Sequence, residues 1–151
     1  MKQVLVIDDD AAVLRYFLLL LTQSQRYEVT LLSDSVKAFE AIESNAFHAV
    51  LLDMDMPGVH GREILRRLRD RHPATAVIII TGVEDAQLAA ESMQLGAFAY
   101  LYKPVSEGEL LRTLDRALTG STSEEADPTV PMRGQASAPD PSLQLDSTEN
   151  P

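Results

Sequence analysis

The 151-residue chain contains no cysteine, which excludes a disulfide framework and any thiolate metal centre. Long hydrophobic runs are also missing. The longest, "YFLLLL" at 16–21, is far too short for the roughly 20 apolar residues of a membrane-spanning helix. The N-terminus "MKQVLVIDDD" has one lysine and an apolar patch that ends in acids, so it is not a signal peptide. Basic charge is scarce: 13 Lys and Arg face 23 Asp and Glu, for a net charge of −10. That balance argues against direct nucleic-acid binding, which needs an excess of cations along a phosphate backbone. No internal repeat is present. Together these absences point to a cytoplasmic protein with neither membrane nor nucleic acid as partner.

What is present is a 45% apolar composition, typical of a globular domain with one core. Apolar runs alternate five times with stretches of helical period. The strand candidates are "QVLVI" (3–7), "YEVTLL" (27–32), "AVLL" (49–52), "AVIII" (76–80) and "AFAYLY" (97–102). The first, third and fourth are almost pure Val, Ile and Leu, as parallel strands covered on both faces should be. The second carries Glu28 and Thr30 and suits a sheet edge. Helical patterns fall at about 11–24, 34–44, 61–71, 84–95 and 106–118. In the last of these, Ser106 and Glu109 stand at capping-box spacing, and Leu110, Leu111, Leu114 and Leu118 recur on one face. Gly96 sits where a helix-terminating glycine belongs. The pattern is (βα)5, a doubly wound α/β domain over residues 1–118. Residues 119–151 hold six acids against Arg133 and five of the eight prolines, and read as an acidic, disordered tail or linker.

In an open parallel sheet, ligands bind beyond the carboxyl ends of the strands. Strand one ends at Asp8-Asp9-Asp10, strand three at Asp53, strand four at Thr81-Gly82 and strand five at Lys103-Pro104. Carboxylates, a hydroxyl and an ammonium therefore meet on one edge. Two carboxylates about 5 Å apart repel by roughly 3 kcal/mol at an effective dielectric of about 20. A divalent cation relieves that repulsion, and an all-oxygen, partly hydrated site suits Mg²⁺. Metal, lysine and hydroxyl around one carboxylate are the parts that hold a phosphoryl group.

Taken with "VLVIDDD", "VLLDMDMPGVHG", "VIIITG" and "GAFAYLYKP", the chain resembles the receiver domain of bacterial two-component response regulators. The resemblance implies a flavodoxin-like fold, with a five-stranded parallel sheet in the order 2-1-3-4-5. It implies that Asp53 accepts a phosphoryl group from a histidine kinase or a histidine phosphotransfer protein. Asp8, Asp9, Asp53 and the backbone carbonyl of Asp55 would hold Mg²⁺, with Asp8 acting largely through water. Lys103 would contact the phosphoryl oxygens, while Thr81 and Tyr100 would move as the switch. The Lys103-Pro104 bond would be cis, and Gly82 would keep the approach to Asp53 open. The domain would be a switch that assists its own phosphorylation and hydrolysis, and not a turnover enzyme. Its output would go to a protein partner or a homodimer, through the face built from the fourth helix, fifth strand and fifth helix.

Two features depart from the family pattern: His60 stands before Gly61 where many receivers carry an acid, and Asp55 is acidic. The Asp55 side chain is expected to tune the phosphoryl lifetime. "DMDM" also resembles the Asp-x-Asp opening of haloacid-dehalogenase-like phosphatases, with Asp53 as nucleophile and Asp55 as acid/base. That family places its further metal-binding acids after the lysine, whereas here they come first, at Asp8–Asp10. His48, His60 and His72 are scattered surface or loop residues. Arg62, Arg66, Arg67, Arg69 and Arg71 interleave with Ile64, Leu65 and Leu68 as a solvated helix face. Met54 and Met56 are expected to pack, and "YFLLLL" exceeds one buried helix face, so part of it should be exposed.

Overall fold

The computed structural model describes residues 1–58 and 60–119. Five strands and five helices alternate: β1 (Lys2–Ile7), α1 (Ala11–Gln23), β2 (Tyr27–Leu32), α2 (Ser35–Ser44), β3 (Ala49–Leu52), α3 (Gly61–Arg71), β4 (Ala76–Thr81), α4 (Ala86–Gln94), β5 (Ala99–Tyr102) and α5 (Glu107–Thr119). All strand pairs are parallel, and the order is β2-β1-β3-β4-β5. The tail expected from 119 onward lies, apart from Thr119, outside the described residues.

Strand order explains the composition of each strand. β3 has neighbours on both sides and helices on both faces, and all four of its residues are buried. β2 pairs on one side only, and Glu28 is exposed there. Side chains alternate through the sheet into two apolar layers. Val4, Val6, Leu51, Ile78 and Leu101 meet α1 and α5, while Leu5, Ile7, Val50, Val77 and Ile79 meet α2, α3 and α4.

Short polar side chains start most of the helices. Asp10, Asp34 and Asp85 accept hydrogen bonds from first-turn amides of α1, α2 and α4, and the Ser106 hydroxyl accepts one from Glu109 N–H. Each such cap stabilises its helix by about 1 kcal/mol. α3 lacks this device: His60 occupies its N-cap without a side-chain hydrogen bond.

At the other end of α4, Gly96 adopts φ +106°. Gly96 N–H donates to Met93 O, and Ala97 N–H to Ser92 O, the pair of bonds that closes a Schellman motif. Those bonds explain why β5 begins at Ala99 and not at Ala97, as the apolar run had indicated. The first two residues of that run serve the helix end and the turn.

In α1, Leu14, Phe17, Leu20 and Leu21 are buried, whereas Tyr16 is 43% and Leu19 56% exposed. The surplus of "YFLLLL" therefore faces outward. Met54 and Met56 are both buried in the core. Arg69 corrects the expectation of a fully solvated α3 face. Its guanidinium turns back to the carbonyls of His72, Pro73 and Thr75, its stem lies against Gly96, and burial pulls its pKa below the ordinary arginine value. The loop after α3 exposes three carbonyl oxygens, and a fork of N–H donors one turn away satisfies them.

Candidate functional site

The carboxyl ends of β1, β3, β4 and β5 converge because parallel strands of similar length end on one edge. Asp8 is one residue past β1, and its N–H donates to Leu32 O at 3.1 Å, which extends the ladder to β2. Asp53 is one residue past β3, and its N–H donates to Ile7 O at 3.0 Å. Lys103 follows β5, and its N–H donates to Thr81 O at 2.9 Å. Sheet hydrogen bonding thus places the backbone of Asp8, Asp53 and Lys103, and amides of the loops beyond hold the two carboxylates.

Asp8 and Asp53 are almost entirely buried, at 3% and 5% exposure. Asp8 Oδ1 accepts from Asp10 N–H at 2.9 Å, and Asp8 Oδ2 sits 2.7 Å from Lys103 Nζ. Asp53 Oδ1 accepts from Asp55 N–H at 3.2 Å, and its Oδ2 is 3.5 Å from the same ammonium. Thr81 is fully buried, and its Oγ1 accepts from Val83 N–H at 3.2 Å.

Burial pushes the Asp53 pKa above the usual carboxylate value, with the charge of Asp8 adding to it, against the Asp55 N–H, Lys103 and the Thr81 hydroxyl, which pull it down. For Lys103, burial favours the neutral amine, but its hydrogen bond to Asp8 and the charges of Asp53 and Asp8 outweigh this and hold its pKa up. The lysine is thus a firm cation, whereas the carboxylate at Asp53 is electrostatically uncomfortable.

Asp8, Asp9 and Asp53 each present a carboxylate oxygen within 4.8 Å of the others. Three carboxylates against one ammonium leave two negative charges, the deficit that one divalent cation balances. The donors are all oxygen, Asp9 is exposed to solvent, and the set fits Mg²⁺ with retained waters. Asp10, read with its two neighbours as one acidic run, does not join them, because its side chain is occupied as the α1 cap.

Asp55 has an exposed side chain and lines a cavity of about 280 Å³ with Met54, His60, Arg62, Val83, Asp85 and Leu88. Tyr100 is completely buried. Its ring meets Tyr102 edge-on at 5.5 Å, and its hydroxyl has no hydrogen-bond partner among the described residues. Burial, with Tyr102, Asp85 and Asp53 adding to it, pushes its pKa up to about 12, so the phenol stays neutral. Lys103-Pro104 is cis. A side-chain carbon added at Gly82 would meet nothing within 4 Å, so this position opens to solvent. His48 and His60 are exposed and His72 is half-buried; His48 Nδ1 accepts from Gln3 N–H, and His72 Nε2 bonds the carbonyl of Ile42.

One feature beside the site went unread in the sequence. An apolar groove of about 570 Å³ runs next to Lys103, lined by Ala12, Val13, Tyr16, Phe17, Pro104 and Val105. The excess apolar residues of α1 were its only signal.

Comparison with known proteins agrees with this geometry. A family model described as the response regulator receiver domain matches residues 4–115. The transcriptional regulatory protein FixJ of Bradyrhizobium diazoefficiens is 37% identical over 113 residues, which is 75% of this chain and 55% of that protein. The chain therefore spans about half the length of this relative. A CheY-like receiver domain from Methanospirillum hungatei superposes with a TM-score of 0.76 at 28% identity, covering 84% of this chain and 99% of the other. The beryllofluoride-activated NtrC4 receiver domain, a dimer in solution, gives a TM-score of 0.75 at 28% identity over 80% of this chain and 98% of the other.

Proposed function

The chain belongs to the response-regulator receiver-domain family, and from that premise we propose that it is a switch thrown by phosphorylation of Asp53. The observation that carries this reading is the convergence of Asp8, Asp9, Asp53 and Lys103 on one sheet edge, with Thr81 buried at the end of the adjoining strand. The proposed donor is a phosphohistidine on a sensor kinase or phosphotransfer protein. An Asp53 carboxylate oxygen attacks phosphorus, an O–P bond forms as the P–N bond breaks, and the electron pair returns to the imidazole. Lys103 then leaves its position between Asp8 and Asp53 to contact the phosphoryl oxygens. Mg²⁺, when held by Asp8, Asp9, Asp53 and the Asp55 carbonyl, supplies charge neutralisation at those oxygens. The apolar groove beside Lys103, with Tyr16 and Leu19 exposed along α1, offers the donor protein a landing surface next to the acceptor.

Output follows from a two-state bias. Thr81 swings toward the phosphoryl group and Tyr100 shifts behind it, altering the α4-β5-α5 face for a protein partner or a second copy. Such a domain turns over only its own phosphoryl group and is not an enzyme acting on a free substrate. We place it in the cytoplasm, where such kinases present their phosphohistidine; among the described residues no helix is long and apolar enough to cross a membrane. We assign residues 1–118 to the receiver unit and 119–151 to a linker or tail. The haloacid-dehalogenase-like reading of Asp53 and Asp55 loses ground to the family match and to the position of the metal-binding acids before the acceptor.

The direct test is intact mass after incubation with Mg²⁺ and a small phosphodonor such as acetyl phosphate. The expected result is the gain of one phosphoryl group, lost on chelation. Turnover of a generic phosphate ester with no retained phosphoryl group would instead favour the phosphatase. Two further outcomes follow from the site. Because a ligand that binds only the folded state stabilises it, millimolar Mg²⁺ should raise the Tm, and Asp9→Asn should weaken that response. A Tm indifferent to Mg²⁺ would remove the metal assignment. Asp55 stands beside the acceptor with an exposed carboxylate able to take a proton from an attacking water. Asp55→Asn should therefore lengthen the phosphoryl lifetime several-fold, and an unchanged decay rate would exclude the tuning role.

A further inference from the structure

Given the phosphoryl-contacting role of Lys103 proposed above, on which this inference rests, we propose that Tyr16 on α1 is the positioning residue for that lysine. Lys103 N–H extends the β4–β5 pairing by one bond, to Thr81 O at 2.9 Å. Pro104 comes next and has no N–H with which to continue it. At that point the Tyr16 hydroxyl takes over, donating to Val105 O at 3.0 Å. Its ring is well placed to do so. It is tilted against Phe17 with centroids 5.4 Å apart, and it forms one wall of the apolar groove whose other wall includes Pro104 and Val105.

The connection between β5 and α5 is therefore tied twice to the start of α1. One tie is the ammonium, with Lys103 Nζ 2.7 Å from Asp8 Oδ2. Asp8 is itself joined to α1, because its Oδ1 accepts from the N–H of Asp10, whose side chain caps that helix. The other tie is the Tyr16 phenol, about 9 Å of helix rise beyond Asp10. Lys103, Asp8, Asp10, Tyr16 and Val105 thus close a circuit that returns to the lysine.

The two ties have different fates. When Lys103 leaves Asp8 for the phosphoryl oxygens, the first is broken. The second joins a hydroxyl and a carbonyl that the reaction does not use, so it persists. It then holds the backbone two residues past the lysine, and the ammonium has only its side-chain torsions left to search. Without the hydroxyl, that backbone is held chiefly by the packing of Val105, which is 5% exposed. Placing the ammonium on the phosphoryl group then carries a larger entropic cost.

The test uses the full 151-residue chain and Tyr16→Phe, which keeps the ring and the groove and deletes only the hydroxyl. The first readout needs no phosphoryl chemistry: the Lys103 Nζ–Cε NMR correlation, identified by its loss in Lys103→Arg, should shift in Tyr16→Phe. The second is the maximal rate of phosphoryl gain from acetyl phosphate, with the Mg²⁺ concentration that gives half of it. The rate should fall about fivefold, the factor that corresponds to the net contribution of one hydrogen bond. Half-saturating Mg²⁺ should stay the same, because carboxylates and not the lysine would hold the metal. A Lys103 signal that does not move overturns the proposal, as does an unchanged rate in Tyr16→Phe where the wild type is labelled. A rise in half-saturating Mg²⁺ that matches the fall in rate would show a general loosening of the carboxyl edge, and overturns it as well. Absence of labelling in the wild type would instead remove the switch reading, and the Lys103 signal would still decide whether Tyr16 positions the lysine.

Discussion

Asp53→Asn is expected to abolish the Mg²⁺-dependent gain of a phosphoryl group, leaving the intact mass unchanged after incubation with phosphodonor. The amide lacks the charged oxygen that would attack phosphorus, and among the described residues no other carboxylate is so placed. Asp8 is committed to Lys103 at 2.7 Å, and Asp9 lies out in solvent. The loss should not come from unfolding, and the electrostatics give the sign. Burial and the Asp8 charge raise the Asp53 pKa in the folded state. A group with a raised folded-state pKa stabilises the fold below its unfolded pKa, and that contribution is lost as pH rises through the folded value. At neutral pH the ionised carboxylate therefore works against folding. Asparagine removes its repulsion with Asp8, and without Mg²⁺ the variant should melt at the wild-type temperature or higher, by about 1 kcal/mol, some 3–6 °C. Labelling that persisted in the variant would sink the acceptor assignment. A markedly lower Tm would sink the electrostatic account while leaving the acceptor assignment intact.

The second large effect is structural. Gly61→Ala should destabilise the domain by about 3 kcal/mol and lower its Tm by about 10 °C or more. A side-chain carbon at Gly61 would stand 2.6 Å from Met54 Sδ, 2.8 Å from Met54 Cα and 3.0 Å from the Asp53 carbonyl oxygen. The sulfur could move aside, but the two backbone atoms belong to Asp53 and the loop that follows it. Relief requires α3 to retreat from that loop. Gly82→Ala is the control: with nothing within 4 Å of the new carbon, its Tm should match the wild type. Thermal scans of the two variants decide the matter, and equal Tm values would show that α3 does not pack against the loop after β3 as described.

These two glycines show where sequence reading reached its limit. Both lie in strand-to-helix connections at the carboxyl edge that carries Asp53. Gly82 was read as the residue that keeps the approach open, which agrees with the space around it. Gly61 was noted only for the histidine before it, because its necessity lies in the closeness of Met54 across the loop. The acids, Thr81 and Lys103 were legible for a different reason. Each directly follows an apolar strand, and parallel topology brings all strand ends to one edge. Their mutual arrangement was not legible. The lysine bonds Asp8 more closely than Asp53, and Asp10 turns away to cap α1. Arginines showed the same limit, since the helical period alone could not separate the solvated Arg66 from Arg69, folded back on three carbonyls.

By itself, the sequence determined the five strand–helix units, the burial of β1, β3 and β4, the edge character of β2 and the set of side chains at the carboxyl edge. Each of these follows from local periodicity, because a strand or helix must bury the face its own residues define. Tertiary structure alone decided which carboxylate holds Lys103, which glycine bears a close contact and that an apolar groove opens beside the site. Those features depend on distances between groups far apart in the chain, and such distances exist only once the sheet and its two helical layers have packed.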